Sequence, residues 1–416
     1  MNASPFKRVF SHLCPSAGAV QPAGVRLVHQ FALIAFVVVL SGCTLLRRDP
    51  TPGRTTFDAP MSSVPAIVTA NTLMVELSWD KYGPWRFLVD TGSSVTLVSP
   101  EFAARYVTDV PTTQTPKVRV RSASGETTQL TGVTVRRISV GDVRFDQVPA
   151  LIYDFTELSD HFGERIDGVL GFPLFRHTLL TLDYPQSRIL LTRSGAAATL
   201  QPGARISFDT ATKTPLIPID LNGQILVALV DSGSDGGLHL NPVGLNTSFL
   251  SGPVQGGVLA TLSGERSQEI GRLNGLLKLG TYSLPNPVID LTDELSSIGG
   301  SILRNFVVTF DQQRGEITFF RESLAPIVSP ALRSAGISFK RTPAYWRVVA
   351  VVPGSPAEAA GVRIGDLVTR IDDEAVALWP LQRYESRIAQ AEVIDLTFLH
   401  GRDETTLTVP VFELVP

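Results

Sequence analysis

The chain has 416 residues, enough for two or three domains, and 44% of them are hydrophobic, so a sizeable core is available. A formal net charge of −3, with lysines and arginines scattered and no basic tract, argues against a nucleic-acid partner. No Gly-rich phosphate loop ending in Gly-Lys-[Ser/Thr], no His-Glu-x-x-His, no Cys-x-x-Cys and no Gly-x-Ser-x-Gly occurs, so no cofactor and no metal is implied.

Residues 31–40 form an apolar run too short to span a bilayer and of the length of a signal h-region. The run ends in Leu40-Ser41-Gly42-Cys43, which resembles the bacterial lipobox. The resemblance implies a signal peptide over 1–42 and lipidation of Cys43. A buried core helix is the alternative, but Thr44-Leu45-Leu46-Arg47-Arg48-Asp49-Pro50 does not continue one. A start at Val25 gives a compact n-region up to Gln30. Thr44 after the cysteine, in place of an aspartate, is similar to lipoproteins sorted to the outer membrane. The chain has 2 cysteines, Cys14 and Cys43, so a mature fold has no disulfide. Residues 43–65, rich in Pro, Thr and Ser towards their end, read as a tether.

Two short apolar runs then end on the same tetrad. Phe87-Leu88-Val89 leads into Asp90-Thr91-Gly92-Ser93, and Ala228-Leu229-Val230 leads into Asp231-Ser232-Gly233-Ser234. An isolated carboxylate at the end of a buried strand is costly. Two of them about 3 Å apart cannot both ionise, so the pair keeps one proton and can serve as base and acid together. A lone tetrad is ordinary turn chemistry, but here the surroundings repeat too. Met74-Val75-Glu76-Leu77 and Leu216-Ile217-Pro218-Ile219 each begin a hairpin that delivers a tetrad, the second through the strong turn signal Asn222-Gly223.

The repeat continues downstream. Leu97-Val98-Ser99-Pro100 matches Leu238-His239-Leu240-Asn241-Pro242, and Ser122-Ala123-Ser124-Gly125-Glu126 matches Thr261-Leu262-Ser263-Gly264-Glu265. Val140-Gly141 matches Leu279-Gly280, and Asp167-Gly168-Val169-Leu170-Gly171 aligns with Ser297-Ile298-Gly299-Gly300-Ser301. Each copy closes on a hairpin, around Pro185 and around Gly315. This is an internal duplication, and two facing lobes would bring the acids together.

The duplicated region, residues 66–322, resembles an aspartic protease of the pepsin/retropepsin superfamily. The resemblance implies two β-barrel lobes, 66–200 and 201–325, with Asp90 and Asp231 as a water-activating dyad. It gives Thr91 and Ser232 the part of bracing the loops, Ser93 and Ser234 that of bonding the outer carboxylate oxygens, and Gly92 and Gly233 close backbone approach. Ser124, Gly125, Ser263 and Gly264 become flap candidates; no tyrosine stands in the first flap, which is closer to retropepsin-like bacterial proteases. Asp235 reads as a solvated turn residue, with a disturbance of the dyad as the alternative, and His239 as packed or solvated.

From about residue 331 the pattern changes. Arg347-Val348-Val349-Ala350-Val351-Val352 is a strand, followed by Pro353-Gly354-Ser355-Pro356-Ala357-Glu358-Ala359-Ala360-Gly361 and Ile364-Gly365-Asp366-Leu367. Ser355 suits a helix N-cap, Pro356 its first turn and Gly361 its stop. Residues 331–416 look like a PDZ domain of the bacterial protease-associated type. That implies a peptide ligand added to a sheet edge, with a groove expected at Tyr345, Trp346, Arg347 and Val348. The loop before Arg347 lacks the family's glycines, so free C-termini, internal segments and an intramolecular contact all stay open.

With 34 Gly and 29 Pro and few long helical periods, the expected fold is mostly β: two duplicated lobes, then an α+β PDZ domain. The expected function is an aspartic-type endopeptidase acting on extended polypeptide, lipid-anchored at Cys43 and facing the periplasm of a bacterial envelope. One chain holds both tetrads, so a monomer is expected. A dimer pairing like lobes, and a non-catalytic peptide-binding envelope lipoprotein, are the alternatives.

Overall fold

The computed structural model describes residues 50–416 apart from 110, 113–114, 116, 122–124, 195–201 and 262–263. The apolar run at 31–40 and Cys43 therefore lie outside the described residues. Among the described residues, no helix is long and apolar enough to cross a membrane.

Strands dominate, and each lobe is built around the same crossing. In the first, Thr72–Leu77 and Trp85–Asp90 form the antiparallel hairpin whose second strand ends on the tetrad. Gly168–Gly171 then inserts between Trp85–Asp90 and Thr96–Val98, parallel to the former and antiparallel to the latter. In the second, Leu216–Leu221 and Gln224–Val230 form the hairpin, and Ser297–Ile298 inserts between Gln224–Val230 and Leu238–Leu240 with the same directions. Asn222 and Gly223 both take positive φ, 53° and 80°. That is the two-residue hairpin turn an Asn-Gly pair favours. Val89 pairs with Leu170 and Val230 with Ile298. The motif alignment of Asp167 with Ser297 is therefore out by two residues: Leu170 is the partner of Ile298, and Gly171 of Gly299.

The lobes are not separate sheets side by side. Thr178–Asp183 of the first pairs antiparallel with Val307–Asp311 of the second, Leu180 opposite Phe310, so one sheet runs between them. Ala204–Ser207 closes its far side against Glu316–Phe320. Leu180, Leu182, Val308 and Phe310 are all fully buried, in a single apolar core that extends through both lobes.

The tether is shorter than expected. Arg54–Phe57 pairs with Val143–Ile152, and Met61–Thr69 begins a long strand paired with both Arg188–Arg193 and Thr72–Leu77. Ser62 and Val64 are buried, and Ser62 Oγ accepts a 2.8 Å hydrogen bond from the Asp142 N–H. A polar composition hid a strand whose alternate side chains face inward.

The C-terminal part has its own core, in which Trp346 packs on Phe339 and Tyr384. Its sheet runs in the order Ile337–Arg341, Trp346–Val351, Leu367–Ile371, Val393–His400, Asp403–Pro410. Ser355 Oγ accepts from the Glu358 N–H at 3.2 Å and opens the helix Pro356–Ala359. A second helix, Leu381–Gln390, brings Tyr384 over the sheet. The groove expectation fails for two residues: Trp346 and Val348 are 2% and 0% exposed, inside the core. Trp346–Val351 is an inner strand, and the edge strand is Ile337–Arg341.

Candidate active site

Each tetrad turns back at the end of its strand, and the two turns meet. Thr91 N–H donates to Ser232 Oγ at 3.0 Å, and Ser232 N–H donates to Thr91 Oγ1 at 3.0 Å. Each hydroxyl then donates into the opposite strand, Thr91 to the Val230 carbonyl at 2.6 Å and Ser232 to the Val89 carbonyl at 2.7 Å. Both side chains are fully buried. Four reciprocal bonds leave none of these hydroxyls or loop amides unsatisfied, which is the condition for burying them.

That lock sets the two carboxyls side by side. A Cβ on Gly92 would fall 2.5 Å from the Asp231 carboxyl, and one on Gly233 would collide with the Asp90 carboxyl. Only glycine permits this approach. Asp90 Oδ1 accepts from the Gly92 and Ser93 amides at 2.8 and 3.0 Å, and Asp231 Oδ1 from the Gly233 amide at 2.9 Å. Ser234 also reaches Asp231 through its backbone N–H. The Ser93 hydroxyl does not bond a carboxylate; it donates to the Val95 carbonyl at 2.7 Å. Backbone amides, not that serine side chain, hold the oxygen of Asp90.

Burial, then the neighbouring charge of Asp231 and a hydrogen bond with it, push the Asp90 carboxyl well above the usual range. Burial also raises Asp231, against the hydrogen bond from Asp90 and the amides. Two carboxyls this close titrate as a coupled pair, both held above the usual carboxylate range.

Around this pair lie residues that sequence reasoning did not single out. Tyr184 is buried at the turn of the inter-lobe sheet, its hydroxyl raised by burial and by the charges of Asp231 and Asp90. The hairpin of Lys117–Arg121 and Thr127–Val140 reaches across to the second lobe, where Arg121 pairs with Glu294 at 2.6 Å. Gly125 stands at the same carboxyl. Of the other flap candidates, Ser124 and Ser263 lie outside the described residues, and Gly264 opens the strand Gly264–Leu273. Asn71 donates to the Asp235 carbonyl at 3.0 Å and accepts from Arg304 at 2.9 Å, tying the first lobe to the second.

Asp235 is not a solvated turn residue. Burial raises its pKa to about 6, against the charge of Arg341 from the C-terminal domain. His239 is packed: it is 7% exposed, with Nδ1 3.1 Å from Ser297 Oγ and Nε2 3.6 Å from Asp290 Oδ2. Burial lowers its pKa, against the charge of Asp231. Among the described residues no group of His, Cys, Asp and Glu is arranged to hold a metal ion.

Two Asp-[Thr/Ser]-Gly turns thus meet at the ends of two similar strand crossings. Residues 75–174 match the family described as aspartyl protease, and residues 347–398 match the PDZ domain family. The chain thus carries an aspartyl protease domain and a PDZ domain. No curated protein matches it.

Proposed function

We propose that this chain is an aspartic endopeptidase in which Asp90 and Asp231 activate a water between them. The observation that carries the reading is the pair of carboxyls set together by the reciprocal Thr91–Ser232 lock, both raised by burial. The ionised member takes a proton from the water as its oxygen attacks the scissile carbonyl carbon. The protonated member donates to the carbonyl oxygen, so a neutral tetrahedral diol forms. Its collapse breaks the C–N bond: a carboxyl returns a proton to the amine nitrogen, and the other recovers one from the diol hydroxyl. No acyl-enzyme forms.

Arg121 and Gly125 beside Glu294 support a cover over an extended polypeptide, and the PDZ domain supports a peptide-binding role in recruitment or regulation. Anchorage through Cys43, a periplasm-facing site at the outer membrane, and a monomeric state complete the proposal. They rest on the lipobox resemblance and on one chain supplying both acids.

The test is cleavage of an unfolded protein by the purified chain between about pH 3 and pH 7, beside Asp90→Asn and Asp231→Asn. Cleavage on the acid side, lost in both variants, is the expected result. Peptide binding without cleavage at any pH would instead favour a non-catalytic envelope lipoprotein. Metabolic labelling with a fatty acid, lost in Cys43→Ser, tests the anchor.

A further inference from the structure

The duplication is not symmetrical behind the two acids. Val98 stands as far beyond Asp90 as His239 stands beyond Asp231. Val98 pairs with Ile152 on the neighbouring parallel strand, an apolar match that the core absorbs. In the second lobe the same crossing sets His239 beside Asp290, both buried. Buried groups of this kind are costly unless they are paired, and Val98 with Ile152 shows that the fold does without them.

The second-lobe pair is held from several sides. Asp290 Oδ2 accepts from Arg266 at 2.5 Å, and its Oδ1 accepts from the Glu269 N–H at 3.1 Å. Arg266 also donates to the Leu291 carbonyl at 3.0 Å. His239 Nδ1 lies 3.1 Å from Ser297 Oγ. Its Nε2 makes no hydrogen bond among the described residues and stands 3.6 Å from Asp290 Oδ2. A Cβ on Gly236 would fall 2.7 Å from the ring's Cε1, so the loop that follows Asp231 lies directly against the imidazole.

These contacts reach Asp231 from the strand before it and from the loop after it. The Ser296 and Ile298 carbonyls, which flank Ser297, accept the Leu229 and Asp231 amides at 2.9 Å each. A ring that fixes Ser297 therefore fixes the strand end that presents the acid. In the loop, the Gly236 and Gly237 carbonyls accept from the Ser301 and Gly299 amides at 2.9 and 2.7 Å. The charged groups around the ring are Asp231, Asp290 and Arg266, with Asp235 one place before Gly236. Burial lowers the ring's pKa and the charge of Asp231 raises it. The charge of His239 in turn lowers Asp231, whereas Asp90 answers to burial, to Asp231 and to its own loop's amides.

We propose that His239 is a positioning residue for Asp231. Clamped by Ser297, Gly236 and the Arg266–Asp290 pair, it holds the second acid in place and makes it the base that takes the water's proton. Asp90 is left as the acid that protonates the scissile carbonyl. A positive charge near one carboxyl of a coupled pair favours ionisation of that member, so the polar cluster behind Asp231 alone gives the two acids fixed and different parts. The division into base and acid rests on the endopeptidase reading; the hold on Asp231 rests only on these contacts.

The experiment titrates each acid alone in the full chain. Asp90→Asn leaves Asp231 as the single carboxyl of the pair, and Asp231→Asn leaves Asp90. The carboxyl carbon signal of the remaining aspartate is followed by NMR as pH changes, with His239 and with His239→Asn, which keeps a polar side chain for Ser297 but carries no charge. The Asp231 midpoint should rise by about one pH unit, and the Asp90 midpoint by less than about a third of that. Equal movement of both midpoints, or of neither, would overturn the proposal. Ser297→Ala, which keeps the imidazole and removes its hydrogen bond, should raise amide exchange at Leu229 and Asp231 on the order of tenfold. Unchanged exchange there would also overturn it, whether or not His239→Asn folds. With both acids restored, His239→Asn should move the acid limb of the cleavage profile up in pH and leave the alkaline limb in place. Titration and exchange are read without turnover, so a chain that cleaves nothing yet shows the Asp231 shift removes only the protease reading. Cleavage with both limbs unmoved removes only this inference.

Discussion

Thr91 and Ser232, 141 residues apart, exchange hydrogen bonds in both directions, each backbone N–H donating to the other's hydroxyl at 3.0 Å. Neither lobe can satisfy its own loop. Thr91→Val removes the acceptor of the Ser232 amide and the donor to the Val230 carbonyl, leaving two buried polar groups without partners. The expected loss is about 2–4 kcal/mol, with Ser232→Ala less than additive to it. Denaturant unfolding of the two single variants and the double variant measures both quantities.

Asp90→Asn and Asp231→Asn should each lower cleavage on the order of 10³-fold or more without unfolding the chain. Both carboxyls have raised pKa values, so the stability they contribute is present at low pH and is lost as pH rises through those values. A neutral amide escapes that loss. Thermal unfolding at pH 5 and pH 8 should show either variant gaining stability relative to the parent at the higher pH. A variant destabilised at both would mean that the carboxyl–carboxyl contact is not proton-sharing.

The junction between the C-terminal domain and the second lobe carries a pH dependence of its own. Burial raises Asp235 to about 6 and Glu385 to about 7. Unfolded, both titrate near about 4, so the folded chain holds these protons more tightly. The resulting stability is complete below about pH 4 and is lost as pH rises through 6 and 7. Unfolding midpoints should therefore fall between pH 5 and pH 8. Asp235→Asn should flatten that fall, and Glu385, which is exposed at the surface, should contribute less to it. A fall that persists unchanged in Asp235→Asn would assign it to other groups.

Trp346→Ala should cost about 3–5 kcal/mol, because the indole fills the C-terminal core between Phe339 and Tyr384. That core is separate from the core shared by the lobes. Unfolding should lose its C-terminal component first, with 331–416 becoming protease-sensitive while the lobes persist. Arg347→Ala on the same strand is exposed and should shift stability by no more than about 0.5 kcal/mol. Limited proteolysis of the two variants separates these outcomes.

What the amino-acid sequence determines by itself is what short-range chemistry controls. Asn222-Gly223 dictates a tight hairpin, Ser355-Pro356 starts a helix, and two Asp-[Thr/Ser]-Gly-Ser turns close two apolar strands, because such signals act within a few residues. The mostly β character and the duplication follow from the same local patterns. Tertiary structure decided whatever depends on a distant partner. Ser62 belongs to a strand rather than a tether because Asp142 meets it 80 residues on. Ser297–Ile298 sits two residues from its motif alignment because pairing with Gln224–Val230, not resemblance to Asp167, sets its register. Trp346 is core rather than groove because Ile337–Arg341 takes the sheet edge. Asp235 is desolvated rather than solvated, and an opposing charge that offsets this comes from Arg341, more than a hundred residues further along the chain. No local pattern encodes such meetings: they depend on how two lobes and a third domain share buried surface.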